Sequence, residues 1–105
     1  MKIIKDRAKI VFQHFGLKEQ VRKLDEEHGE LTRKLGLLEE GLISPMNYIE
    51  YIADVSQELA DNLFLLLQFI VGLDIKKEVY EQLDEKSKRT LERIQNNYYE
   101  NKKQR

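Results

Sequence analysis

Apolar side chains recur at intervals of three and four along the chain, the period of an amphipathic helix. Ile3, Ile4, Ile10 and Val11, with Phe15 beyond them, mark one side of a first helix over residues 2–14. Phe15-Gly16-Leu17 is the break, Gly16 taking a C-cap position that requires positive φ. A second helix is expected over about 18–40, with Leu17, Val21, Leu24, His28, Leu31, Leu35 and Leu38 as its apolar stripe and Gly41 as its end. Ser44-Pro45 is a start signal: Ser at the N-cap and Pro at the first helical position, where a missing N–H costs nothing. The third helix, about 45–71, carries Ile49, Ile52, Leu59, Leu63, Leu66, Leu67 and Ile70. Gly72 closes it, and Asp74 is placed to cap a fourth helix, about 75–99, with Val79, Leu83, Leu91 and Ile94 on its inner side and a frayed tail near 100–105.

After Asp61 the third helix is apolar nearly all round. Such a surface needs more cover than the other helices of a 105-residue chain supply. The expectation is an all-α, four-helix antiparallel bundle, one domain over 1–105, that associates with copies of itself as a dimer or tetramer.

Composition narrows this further. Hydrophobic residues make up 41% and charged residues 35%, enough for a core and a solvated surface and too apolar for a disordered tail. One Pro and five Gly leave too little turn material for a β-sandwich or barrel. The absence of Cys excludes disulfides, thiol catalysis and zinc–thiolate sites. The longest apolar stretch, residues 63–73, is interrupted by Gln68 and spans about 17 Å, short of a roughly 30 Å hydrocarbon core. The opening run MKIIKDRAKIVFQHF mixes Lys and Arg with apolar residues throughout, so no signal peptide, no membrane and a cytoplasmic location are expected.

The net charge of −1 hides a segregation. Residues 1–23 carry seven basic and two acidic side chains, residues 24–62 two basic and ten acidic, and residues 63–105 nine basic and seven acidic. A middle third at −8 repels nucleic-acid phosphates, so no nucleic-acid partner is expected. It also repels itself unless cations compensate.

The acids concentrate in two segments, Leu24-Asp25-Glu26-Glu27-His28-Gly29-Glu30-Leu31 and Gln57-Glu58-Leu59-Ala60-Asp61-Asn62-Leu63. Glu27 and Glu30 are three apart, as are Glu58 and Asp61, so each pair shares a helix face. Like charges at that spacing destabilise an isolated helix by a few tenths of a kcal/mol. Asp61 also heads the apolar run Leu63-Phe64-Leu65-Leu66-Leu67, where a carboxylate is expensive unless paired or bound to metal. If the second and third helices pack antiparallel, the two pairs face each other and suit an octahedral hard cation such as Mg²⁺. The plain alternative is a solvated acidic face, which is what most Glu-rich helices carry.

The pair E-E-x-x-E (Glu26, Glu27, Glu30) and E-x-x-D (Glu58, Asp61), in the contexts EEHGEL and ELADNLFLLLQF, resembles the MazG-like branch of the all-α nucleoside triphosphate pyrophosphohydrolases, short stand-alone type. The resemblance covers about residues 15–95. It implies a Mg²⁺-dependent enzyme (Mn²⁺ the alternative ion) that splits a nucleoside triphosphate into monophosphate and pyrophosphate, as house-cleaning of nucleotide pools. By matching position, Glu27, Glu30, Glu58 and Asp61 would be the metal ligands. Glu26 would join them, bind a second metal, or help deprotonate the attacking water.

Phosphates also call for cations. Lys86, Arg89 and Arg93 form one basic stripe on the fourth helix and resemble the family's basic region, with Lys18, Arg22 and Lys23 as further candidates. Asn62 either hydrogen-bonds substrate or satisfies backbone. Phe12, Gln13, His14 and Phe15 offer stacking and polar edges for a nucleobase, against simple packing for the two phenylalanines. His28, on the apolar stripe, reads as a core histidine rather than a ligand. A di-iron carboxylate bundle is rejected because no second E-x-x-H accompanies the residues around His28. Two rivals remain: a non-catalytic helical module whose acidic face binds a basic protein, and a degenerate family member that binds nucleotides without hydrolysing them.

Overall fold

The computed structural model describes residues 1–41 and 47–97. The Ser44-Pro45 start signal, the end of the predicted fourth helix and the tail near 100–105 lie outside the described residues. Four helices are present and, among the described residues, no strand: α1 (Lys2–Phe15), α2 (Leu17–Glu39), α3 (Tyr48–Gly72) and α4 (Lys76–Gln95). None of them is long and apolar enough to cross a membrane.

The breaks follow backbone chemistry. Gly16 has φ 83 and donates its N–H to the Phe12 carbonyl at 2.8 Å, so one residue ends α1 and begins α2. Gly41, at φ 69, follows α2. The expected capping role of Asp74 is corrected: Ile75 stands at the N-cap of α4 with no side-chain capping bond. Asp74 instead takes the left-handed conformation, φ 56, which a short polar side chain tolerates better than most.

The chain divides into two compact units, Met1–Asp74 and Ile75–Arg105. In the first, α1 and α2 both pack on α3. Its apolar core is small: Ala8 and Phe12 from α1, and Tyr51, Val55 and Leu65 from α3. Phe12 meets Phe69 edge to face, centroids 5.6 Å apart at 72°, and lies against the backbone of Gly72. Phe12 is therefore packing, the plainer of its two readings. The second unit contains α4, in which no residue is buried.

α2 and α3 run antiparallel and are joined by polar ties. Gln20 Nε2 donates to Gln68 Oε1 (2.6 Å), Asn62 Nδ2 to the Glu27 carbonyl (3.1 Å), and the Tyr51 hydroxyl to the Lys34 carbonyl (2.8 Å). On α2 the three positions are seven apart, close to two full turns, so they share one face. That face turns Gln20 and Glu27 inward.

The apolar stripes point elsewhere, which corrects the expected inner faces. Leu17, Val21, Leu35 and Leu38 of α2 are exposed, as are Ile49, Ile52, Leu59, Leu63 and Leu66 of α3 and Ile3, Ile4 and Ile10 of α1. His28 is exposed with them and is not a core histidine. The cause is geometric. On α2 the side that meets α3 carries Gln20 and Glu27, so Leu17, Val21, Leu35 and Leu38 are left outside while Leu24 and Leu31 are half-buried.

Candidate metal centre and adjoining groove

Because α2 and α3 are antiparallel, with Asn62 tied to the Glu27 carbonyl, the two acidic segments meet at mid-helix. One carboxylate oxygen each from Glu27, Glu58 and Asp61 lies within 4.8 Å of the others. Glu27 is buried at 8% exposure, Glu58 half-buried and Asp61 exposed, so the cluster grades from the seam outward. An octahedral ion bound at about 2.0–2.1 Å spaces its oxygens about 2.9 Å apart when adjacent and about 4.1 Å when opposite. The 4.8 Å bound on the cluster lies just above the wider of these spacings.

Two lysines partly neutralise the cluster. Lys23 Nζ is 3.1 Å from Glu27 Oε1, and Lys34 Nζ is 3.4 Å from Glu58 Oε1. These pairs do not satisfy the site. Glu27 Oε2 and Glu58 Oε2 are both sealed from solvent and without a hydrogen-bond partner among the described residues. An orphaned buried carboxylate oxygen is costly, and two of them in one acid cluster fit a cation-binding role.

Glu30 is not among the three converging acids, but it feels them. Its carboxyl is held above the ordinary carboxylate range, chiefly by the Glu27 charge, then by partial burial and by Glu58 and Glu26, with Arg33 opposing. Glu26 lies on the exposed side of α2, its carboxylate 3.1 Å from Arg22, which also binds Glu19. Asn62 is buried and spends its amide nitrogen on two backbone carbonyls, Glu27 at 3.1 Å and Glu58 at 2.8 Å. Of its two expected roles, the arrangement favours clamping the two acid-bearing turns together. Lys86 and Arg89 are exposed and Arg93 half-buried on α4, within the second unit.

A groove of about 500 Å³ adjoins the acids in the first unit. Glu27 and Asp61 line part of it and Arg22 and Lys23, with Glu19, another, while Phe15, Phe64, Gln20 and Gln68 are among the rest of its lining. Arg22 and Lys23 thus emerge as the cations placed beside the acids. Sequence reasoning missed Phe64, Gln20 and Gln68. Gln20 stands seven residues before Glu27 and Gln68 seven after Asp61, a symmetry that antiparallel packing makes meaningful. On the outer side of α2 and α3, a second, apolar groove of about 640 Å³ is lined by Val21, Leu24, Leu31, Leu59, Leu63 and Leu66 with His28 and Asp25.

Metal binding has a direct thermodynamic readout. At free Mg²⁺ about 100 times Kd, mass action adds about 2.7 kcal/mol to stability. For a unit of this size that raises the melting temperature by roughly 10–20 °C. Glu58→Gln is expected to lose most of this rise in a thermal melt with and without Mg²⁺. An equal rise in wild type and variant would place the ion elsewhere. Compared with known proteins, the chain matches no family model, no curated protein and no solved structure.

Proposed function

We propose that the chain is a MazG-like, Mg²⁺-dependent nucleoside triphosphate pyrophosphohydrolase that adds water across the α–β anhydride, giving monophosphate and pyrophosphate, in the house-cleaning of nucleotide pools. The observation that carries this reading is the convergence of Glu27, Glu58 and Asp61, with Glu27 and Asp61 in the wall of a groove and Glu27 and Glu58 each carrying an orphaned buried oxygen. A face that only binds a basic protein has no need to bury carboxylate oxygens without partners.

Glu27, Glu58 and Asp61 would hold the ion, with Glu30, already repelled by Glu27, drawn in as the fourth ligand. When bound, Mg²⁺ (or Mn²⁺) neutralises triphosphate oxygens and acidifies a water. The side chains supply the rest. Arg22 and Lys23 line the groove beside the acids and would bind phosphate oxygens there. Glu26, outside the cluster and paired with Arg22, would accept the water's proton or bind a second ion.

The outward apolar stripes support self-association. The groove formed by Val21, Leu24, Leu31, Leu59, Leu63 and Leu66 would be closed by a second copy, as dimer or tetramer, giving the bundle the cover its own helices do not provide. Leu63, at 59% exposure, is the position to test. Leu63→Glu is expected to halve or quarter the mass seen by light scattering. An unchanged oligomer would place the interface on another face.

The activity test is a panel of natural and modified nucleoside triphosphates with Mg²⁺, scored for pyrophosphate against orthophosphate. Pyrophosphate release with stoichiometric monophosphate is the expected result. Orthophosphate release, or no hydrolysis of any member, would overturn the assignment.

A further inference from the structure

We propose that the Gln20–Gln68 pair reads the edge of the substrate's nucleobase, and that it accepts bases of either hydrogen-bonding sense because the two amides can turn over together. The proposal rests on the acid cluster being the triphosphate site.

Position comes first. Gln20 is two helical turns before Glu27 on α2, and Gln68 two turns after Asp61 on α3. Seven residues at about 1.5 Å each place the glutamine pair about 10 Å along the seam from the acids, on the same face. That separation matches the reach of a nucleoside 5′-phosphate from phosphorus to the far edge of its base. All four residues line one groove.

Chemistry comes second. Gln68 is 2% exposed and Gln20 5%, deep burial for amides. They share one hydrogen bond of 2.6 Å. An amide offers two N–H donors and one carbonyl acceptor, so a single bond between two amides uses one nitrogen and one oxygen. One amide nitrogen and one carbonyl oxygen are left without a hydrogen-bond partner among the described residues. Neither belongs to the sealed, unpartnered atoms, which are Glu27 Oε2 and Glu58 Oε2, and both glutamines line the groove. The result is a donor beside an acceptor, the complement of a nucleobase edge. Phe15 and Phe64 line the same groove and offer flat apolar faces for the ring.

Tolerance follows from the pair's symmetry. Turning both amides over keeps their mutual bond and exchanges the free donor with the free acceptor. The groove can then meet a 4-amino pyrimidine, which presents donor and acceptor, as well as a 4-oxo pyrimidine, which presents them in the opposite order. A carboxylate at either position removes this freedom. It accepts only, fixes the remaining glutamine with its nitrogen inward, and leaves two acceptors facing the base. Either base then meets one of those acceptors with an acceptor of its own, so both are bound more weakly.

The test compares kcat/KM for deoxycytidine and deoxyuridine triphosphates, which differ in this one edge, in wild type, Gln68→Glu, its mirror Gln20→Glu, and Gln68→Met. Deoxyribose 5-triphosphate, which has no base, serves as the control. Wild type is expected to hold the two substrates within about tenfold of each other. Gln68→Glu and Gln20→Glu should each raise KM for both substrates at least tenfold and leave their ratio within about tenfold. Gln68→Met should raise KM for both at least tenfold with kcat nearly unchanged, and leave the baseless control unaffected. The mirrored variants guard against one failing to fold. KM unchanged for both substrates in the carboxylate variants, or a loss in Gln68→Met equal for the baseless control, overturns the base-reading role while leaving the hydrolase reading intact. Absence of turnover by wild type on every substrate removes the hydrolase reading, and this proposal with it.

Discussion

Glu27→Gln or Asp61→Asn is expected to reduce pyrophosphate release by at least about 10³-fold, with the helical fold retained. The size follows from where these carboxylates stand. Each gives an oxygen to the three-acid cluster, and an amide in place of a carboxylate removes the charge that draws a divalent ion there. The fold should survive because the clamp between α2 and α3 uses the Glu27 backbone carbonyl, not its side chain. Glu27→Gln gives up the Lys23 ion pair but relieves the repulsion felt by Glu30. Its metal-free melting temperature should therefore stay within a few degrees of wild type, while the Mg²⁺-dependent rise disappears. Circular dichroism melts alongside a pyrophosphate assay separate the two effects. Near-full turnover in either variant would remove these acids from the catalytic site.

Gly72→Ala should be the most damaging single methyl group in the first unit. A Cβ built on Gly72 would meet three ring carbons of Phe12, which neither side can tolerate without moving. Phe12 is itself fixed, at 8% exposure and edge to face with Phe69. Overpacking of this kind costs about 3 kcal/mol, or a fall in melting temperature of roughly 15 °C, measured at fixed protein concentration. The double variant Phe12→Leu/Gly72→Ala should recover part of that loss, because a smaller side chain vacates the contested space. Additive losses in the double variant would show that Gly72 is needed for its backbone and not for the ring's approach.

The helices and their breaks were legible because spacing and glycine chemistry are local. Gly16 adopts the positive φ expected of it, and α2 and α3 lie close to the predicted spans. The acids were legible too, since a three-residue spacing on a helix places side chains on one face whatever surrounds them. What periodicity did not convey is which stripe of a two-faced helix meets its neighbour. The leucines of α2 repeat more regularly than Gln20 and Glu27, yet the antiparallel seam takes the polar face and leaves Val21, Leu35 and Leu38 outside. Burial is a property of pairs of helices, and a stripe destined for a second molecule looks the same in sequence as one facing the core. Gln20, Phe64 and Gln68 were missed for a related reason. A lone glutamine or phenylalanine has no spacing signature, and it gains meaning only once the register of α2 against α3 is known.

The claim on which the rest depends is that α2 and α3 hold one divalent ion between their acids. Titration of Mn²⁺ into ¹⁵N-labelled protein, followed by amide resonances, tests it most directly. At substoichiometric ion, the amides around Glu27, Glu30, Glu58 and Asp61 should broaden first and together, and excess Mg²⁺ should restore them. Broadening that begins elsewhere, or spreads evenly over all acidic segments, would contradict the account.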